Sequence, residues 1–214
     1  MNTKDLGFCS KLVHAGAPED PYGSAVTPIY QTSTFSFESA DDGADRFAGR
    51  SGGFIYTRLG NPTIRALEDC VAELEEGAGA VATSSGMGAV TTAYLALLGG
   101  GDHLVSTAAV YGPSRTLMEK HLSRFGLSAT YVDTSDLGAV RAALRPETKM
   151  LYVETPSNPL MQITDLAAVA DLAHGRGIRL VVDSTFASPF LQKPLALGAD
   201  VVLHSVTKFI NGHA

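Results

Sequence analysis

Cysteine is scarce in this chain: Cys9 and Cys70 are the only two. Two cysteines make no disulfide framework and fit a reducing compartment, so a cytoplasmic location is expected. Long apolar runs are missing too, since none approaches the ~20 residues that a membrane helix needs. Residues 1–11 are mixed and polar and lack the apolar core of a signal peptide. Positive charge is also in deficit. With 16 Lys and Arg against 22 Asp and Glu, the formal net charge is −6, and no basic run stands out. That argues against a nucleic-acid surface. The 6 histidines show no metal-ligand spacing and read as structural or surface residues, so no metal is expected. No internal repeat or low-complexity segment is present.

What is there describes a soluble globular chain. Hydrophobic residues make up 45% and charged residues 18% of its 214 positions, enough for a sizeable core. That length holds one large domain or two small ones.

Residues 11–37 are rich in Pro, Gly, Ser and Thr, and Pro18, Pro21 and Pro28 break any helix. An extended arm is expected over residues 1–60. Its stretch Thr27-Pro28-Ile29-Tyr30 is too apolar for a free tail and should lie against another surface. A short helix is expected over residues 39–47, with Ser39 as its cap. Tyr56-Thr57-Arg58 then precedes Asn61-Pro62, a helix start with a capping side chain and proline at the first position. A guanidinium fork on a loop matches a phosphate, although a surface Arg beside a packed Tyr reads equally simply.

From residue 61 onward the pattern changes. Ile64, Leu67, Val71 and Leu74 recur at helical spacing, so residues 62–76 form an amphipathic helix. A short strand is expected over residues 80–84. Ser85-Gly86-Met87-Gly88 follows and opens a helix to about residue 98. A small-residue turn at a helix N-terminus suits an anion, because its backbone N–H groups point outward and glycine permits close approach. A tight helix start would need small residues as well. Strands are then expected over residues 103–107, 130–132, 149–154, 178–183 and 200–204. Helices over about 112–125, 136–144 and 165–176 separate them. This alternation predicts an α/β fold with a mostly parallel, doubly wound sheet. Ligands of such sheets sit outside the carboxyl ends of the strands. Ser85, Tyr111, Glu154, Asn158, Asp183 and Lys208 all fall at or just past those ends.

The end of the chain carries the chemistry. The strand Val181-Val182 ends on Asp183. The run Val201-Val202-Leu203 ends in His204-Ser205-Val206-Thr207-Lys208, which places the lysine 208 − 183 = 25 residues after the acid. An acid and a lysine with hydroxyls beside it suit a cofactor that has a basic ring nitrogen, an aldehyde and a phosphate. Pyridoxal phosphate has all three. Taken singly, an Asp there is often the start of a turn and a Lys a solvated charge. The convergence of many groups on one end of the sheet favours the cofactor.

These motifs resemble, in order and over essentially the whole chain, the pyridoxal-phosphate enzymes of cysteine and methionine metabolism. That family includes methionine γ-lyase, cystathionine γ-lyase, cystathionine γ-synthase and the homoserine-ester sulfhydrylases. The resemblance implies an aspartate-aminotransferase-like (fold type I) domain over residues 61–214. It makes Lys208 the residue that condenses with the cofactor aldehyde and later moves substrate protons. It makes Asp183 the partner of the ring nitrogen. Gly86 and Met87, beside Ser85, should offer N–H groups to the phosphate, with hydroxyls from Ser205 and Thr207. Tyr111 should stack on the ring and act as an acid toward the γ-leaving group. Asn158 should lie near the ring 3-hydroxyl, and Glu154 should support the ring's surroundings. Tyr56 and Arg58 should reach the phosphate of a neighbouring subunit, which implies a dimer or tetramer with shared sites.

The implied reaction is elimination or replacement at the γ-carbon of a sulfur amino acid or an activated homoserine. Methionine or cystathionine lysis is the first expectation, and synthase or sulfhydrylase chemistry the second. A non-catalytic cofactor-binding or interaction module and an aminotransferase are the rivals from other classes. Pro113 stands where methionine γ-lyases often carry a cysteine. Family members continue well past the lysine, whereas this chain continues for 214 − 208 = 6 residues. It is therefore expected to be the N-terminal part of a longer enzyme, without the C-terminal domain and its substrate-carboxylate arginine.

Overall fold

The computed structural model describes residues 3, 5–18 and 20–212. The chain divides into two compact units, residues 1–82 and residues 83–214.

The first unit carries three helices among its described residues: α1 (Phe8–His14), α2 (Ala40–Phe47) and α3 (Pro62–Glu75). Helix α1 lies within the segment expected to be extended, and it packs on α3. Ser39 caps α2 by accepting from the Asp42 N–H at 3.1 Å, as its place before two acids predicts. Asn61 caps α3, with Pro62 as its first residue. The sequence suggests a boundary near residue 60, yet α3 groups with the residues before it. Hydrogen bonds across the segment explain this. The Asn61 side-chain amide donates to the Tyr30 carbonyl at 2.9 Å, and the Thr63 hydroxyl to the Pro28 carbonyl at 2.8 Å. The apolar stretch around Pro28 thus lies against the start of α3. Thr34 and Tyr56 form an antiparallel bridge.

The strand expected over residues 80–84 does not form. Val81 is 80% exposed, and the backbone N–H of Ala82 goes to the Glu68 carboxylate at 2.9 Å instead of to a neighbouring strand.

The second unit is a five-stranded sheet with helices on both faces. Its strands are β1 (His103–Thr107), β2 (Ser128–Val132), β3 (Thr148–Glu154), β4 (Arg179–Asp183) and β5 (Val201–Leu203). They run in the order β2-β1-β3-β4-β5, and every pairing is parallel. The helices are α4 (Gly86–Leu97), α5 (Gly112–Thr116), α6 (Leu137–Ala143) and α7 (Leu166–His174). One helix was expected over residues 112–125. The chain instead passes from α5 into a π-helical turn (Leu117–His121) and then a 3-10 turn (Leu122–Phe125).

Strand periodicity separates two cores. On one face Leu104, Met150, Tyr152 and Val181 pack with Val90, Tyr94, Met118 and Leu122 from α4 and the segment after α5. On the other, Val105, Leu151, Val153, Leu180 and Val182 pack with Val140, Leu166 and Val169 from α6 and α7. Residues one apart along a strand point to opposite faces, so each strand contributes to both. The order of the strands reverses direction between β1 and β3. In open α/β sheets the crevice at such a switch point, beyond the carboxyl strand ends, is where ligands bind.

Candidate active site

The loops that leave β1, β3, β4 and β5 meet at the carboxyl end of the sheet. Glu154 and Asp183 close β3 and β4 and are register partners. The Glu154 carboxylate is 4% exposed and ties two loops together. Its Oε2 accepts the backbone N–H of Tyr111 at 2.7 Å, and its Oε1 that of Asn158 at 3.3 Å. Tyr111 is 49% exposed, so its backbone is anchored while its ring stays open to a ligand. Burial raises the Glu154 pKa from 4.5 to about 7, the Tyr111 and Asn158 N–H groups oppose that rise, and the nearby Asp183 charge adds to it.

Asp183 is held from two sides. Its Oδ1 accepts from the Thr185 N–H at 3.1 Å and its Oδ2 from the Tyr152 hydroxyl at 3.1 Å. The Thr185 hydroxyl in turn accepts from the Ser205 N–H at 2.9 Å. Asp183 and the segment after β5 are therefore linked through one threonine.

Ser205 also lies against the first turn of α4. A Cβ placed on Gly86 would stand 2.7 Å from the Ser205 Cβ and 2.8 Å from its Oγ. Only glycine allows the helix to come so close. Ser85 caps α4 by accepting from the Gly88 N–H at 3.0 Å. The N–H groups of Gly86 and Met87 point out of the first turn, where no helical carbonyl lies before them. Met87 is fixed further by the Ser114 hydroxyl, 3.7 Å from its sulfur.

Lys208 follows on the same loop, its N–H donating to the Ser205 carbonyl at 3.1 Å. The side chains of Thr207, Lys208 and Asn158 are exposed. The second unit thus brings Ser85, Gly86, Met87 and Ser205 together, and links Ser205 to Asp183. It also joins Tyr111 to Asn158 through Glu154. Tyr56 and Arg58 belong to the first unit. There the Arg58 guanidinium lies 5.3 Å from the centre of the Tyr56 ring, and both line an open hollow with Tyr30, Thr32 and Asn61. Sequence reasoning passed over Thr185 and Tyr152. A tyrosine within the buried apolar run of residues 150–153 was the available signal, since a buried phenol needs a partner. Among the described residues no cluster of His, Cys, Asp and Glu could hold a metal ion.

The family model for "Cys/Met metabolism PLP-dependent enzyme" matches residues 9–214. The chain belongs to this family. Among curated members it is 52% identical over 214 residues to the L-methionine gamma-lyase of Fusobacterium nucleatum subsp. polymorphum, covering 100% of this chain and 54% of that protein. It is 44% identical over 205 residues to the O-succinylhomoserine sulfhydrylase of Pseudomonas aeruginosa, covering 96% of this chain and 51% of that protein. The crystal structure of MetB from Corynebacterium glutamicum superposes with a TM-score of 0.91 at 45% identity, over 100% of this chain and 54% of that one. The chain spans about half the length of the curated relatives it matches.

A PLP-dependent enzyme must hold a phosphate, a pyridine ring and an aldehyde at one place. The second unit supplies groups of each required kind. The Gly86–Ser205 approach forms a cradle that a Cβ would fill, with helix N–H groups on one side and a hydroxyl on the other. A carboxylate held by two donors stands at the end of β4. A lysine follows three residues after the cradle serine (208 − 205 = 3). The residues present fit pyridoxal 5'-phosphate.

Proposed function

We propose that the chain forms the cofactor-binding part of an enzyme that eliminates or replaces a γ-substituent on a sulfur amino acid or an activated homoserine. Membership of the PLP-dependent family favours an enzyme over a non-catalytic binding module. The observation that carries the reading is the chain of contacts from α4 through Ser205 and Thr185 to Asp183. It ties a phosphate cradle to a carboxylate held by two donors, as a ring bearing a phosphate at one end and a basic nitrogen at the other requires.

When bound, pyridoxal phosphate supplies an electron sink for charge that develops on the substrate carbons. The residues of this chain do the rest. Gly86 and Met87 direct N–H groups, and Ser205 and Thr207 hydroxyls, at the phosphate. Asp183 holds the ring nitrogen, and Asn158 the 3-hydroxyl side. Lys208 holds the aldehyde carbon and, as a free amine, removes and returns protons at the substrate carbons. Tyr111 covers the ring face and donates a proton to the leaving group. Glu154 keeps the backbones of Tyr111 and Asn158 in register.

Tyr56 and Arg58 complete the phosphate site of a neighbouring copy, so the enzyme works as a homo-oligomer, a dimer or a tetramer, with shared sites. Val26, Ile29 and Leu59 of the first unit are 79%, 83% and 69% exposed, apolar surface that a second copy would cover. The enzyme acts in the cytoplasm. Among the described residues, no helix is long and apolar enough to cross a membrane.

Lysis of methionine or cystathionine is the first choice of reaction, in line with the name of the Fusobacterium relative. The sulfhydrylase relative keeps replacement on a homoserine ester as the second. A product screen separates them. The purified enzyme is given methionine, cystathionine and O-acyl homoserines, with and without thiol. Ammonia and 2-oxobutanoate from the first two substrates support lysis. Thioether formed only from the esters supports replacement. Transfer of the amino group to the cofactor, with the sulfur group retained, would overturn both.

A further inference from the structure

We propose that Tyr152 is a positioning residue for Asp183, whose hydroxyl holds the carboxylate in place and keeps the shared proton on the cofactor's ring nitrogen. The inference rests on the assignment of Asp183 to that nitrogen.

Tyr152 sits on the inner run of β3, fully buried, two residues before Glu154 and beside Val181 of β4. Its ring is fixed edge-on against Tyr94, with centroids 5.1 Å apart at 70°. Both rings belong to the core between α4 and the sheet, so Tyr152 cannot swing away without opening that core. From this fixed ring the hydroxyl reaches Asp183 Oδ2 at 3.1 Å. The Thr185 N–H takes Oδ1 at 3.1 Å. Donors on both oxygens fix the plane of a carboxylate that would otherwise turn about its χ2 angle.

The second effect is on proton sharing. A donor to a carboxylate oxygen makes that oxygen a weaker base. The proton between the ring nitrogen and Asp183 then stays on nitrogen, where it increases electron withdrawal by the ring. Burial, with the nearby Asp183 and Tyr94, pushes the Tyr152 phenol pKa well above its ordinary value. Tyr152 therefore remains a donor throughout the working range of pH. A buried tyrosine that merely filled the core would need no oxygen at this distance from a site carboxylate, since phenylalanine would fill the same space.

The test uses the purified enzyme loaded with pyridine-15N-labelled cofactor. The nitrogen chemical shift reports directly where the proton lies. Tyr152→Phe removes one oxygen and keeps the ring. Its shift should move toward that of the neutral pyridine, and kcat should fall about tenfold with KM changed less than about twofold. Site-specific 3-fluorotyrosine at position 152 keeps the hydrogen bond but makes it a stronger donor, so the shift should move the opposite way. This second variant decides the matter if the first does not fold. Asp183→Asn is the control for the underlying assignment and should abolish the protonated signal. If Asp183→Asn moves the signal while both changes at position 152 leave it in place, the role of Tyr152 is wrong. If Asp183→Asn also leaves it in place, Asp183 is not the partner of the nitrogen and the assignment itself fails.

Discussion

Gly86 and Ser205 meet so closely that a Cβ on the glycine would stand 2.7 Å from the Cβ of the serine. They are 205 − 86 = 119 residues apart in sequence, so the contact depends on the whole sheet being assembled. Alanine is the best helix former, and at this helical position its propensity alone would favour stability. Its methyl group would nonetheless force the Ser205 loop away from α4. Gly86→Ala should therefore leave the melting temperature of the cofactor-free protein nearly unchanged. Its affinity for pyridoxal phosphate should drop about tenfold or more, read by equilibrium dialysis. Unchanged affinity would remove the cradle from the phosphate site.

Glu154 predicts a pH dependence. Its pKa is raised from 4.5 in the ordinary state to about 7 in the fold. Below about 4.5 the group is protonated in both states and its contribution to stability is fully present. As pH rises through about 7 the folded protein must hold a buried charge, and that contribution is lost. A difference of this size amounts to about 3 kcal/mol. Urea unfolding of the cofactor-free protein between pH 4.5 and 8 should show the decline. Glu154→Gln should flatten the curve in that window, with all other carboxylates common to both proteins. Parallel curves would show that Glu154 does not titrate there.

Much of the fold was legible because strand and helix periods were strong. The strand His103–Thr107 and the helix that Asn61 and Pro62 open are where pattern and capping predict them. The segment at 80–84 has the composition of a strand but no neighbour to pair with, and composition cannot supply a partner. The π-helical turn after α5 left no sequence mark. At the site, the grouping of residues at strand ends follows from topology alone. What the sequence could not give were contacts between side chains on different strands. The Tyr152 hydroxyl reaches Asp183 across 183 − 152 = 31 residues; a buried tyrosine signals that it needs a partner, but nothing in either local pattern says which one.

Lys208 can be tested directly. It lies on the loop after β5, with its backbone anchored to Ser205 and its side chain exposed. Borohydride reduction of the loaded enzyme fixes the cofactor to the lysine that carries it. Peptide mass mapping should find the pyridoxyl group on Lys208. Finding it on Lys149 or Lys193 would overturn the assignment.

The shared site makes the sharpest demand. Arg58 is exposed in the first unit, with its guanidinium packed over Tyr56, and among the described residues it makes no salt bridge to an acidic side chain. A planar fork of donors held open in this way suits a phosphate oxygen pair. If that phosphate belongs to a neighbouring copy, damage to Arg58 in one subunit and to Lys208 in the other falls on the same site of a mixed dimer. One subunit would carry Arg58→Ala and the other Lys208→Ala. The site that keeps Lys208 then receives Arg58 from its intact neighbour, and the other site loses both. Tagged heterodimers should recover about half of the wild-type turnover, as expected when one of two symmetry-related sites is whole. Each mutant homodimer should remain strongly impaired, and cofactor should titrate into the heterodimer at one site per dimer with wild-type affinity. If each phosphate were instead held by Arg58 of its own subunit, no site in the heterodimer would be complete. Heterodimers no more active than the better of the two homodimers would establish that arrangement and end the shared-site proposal.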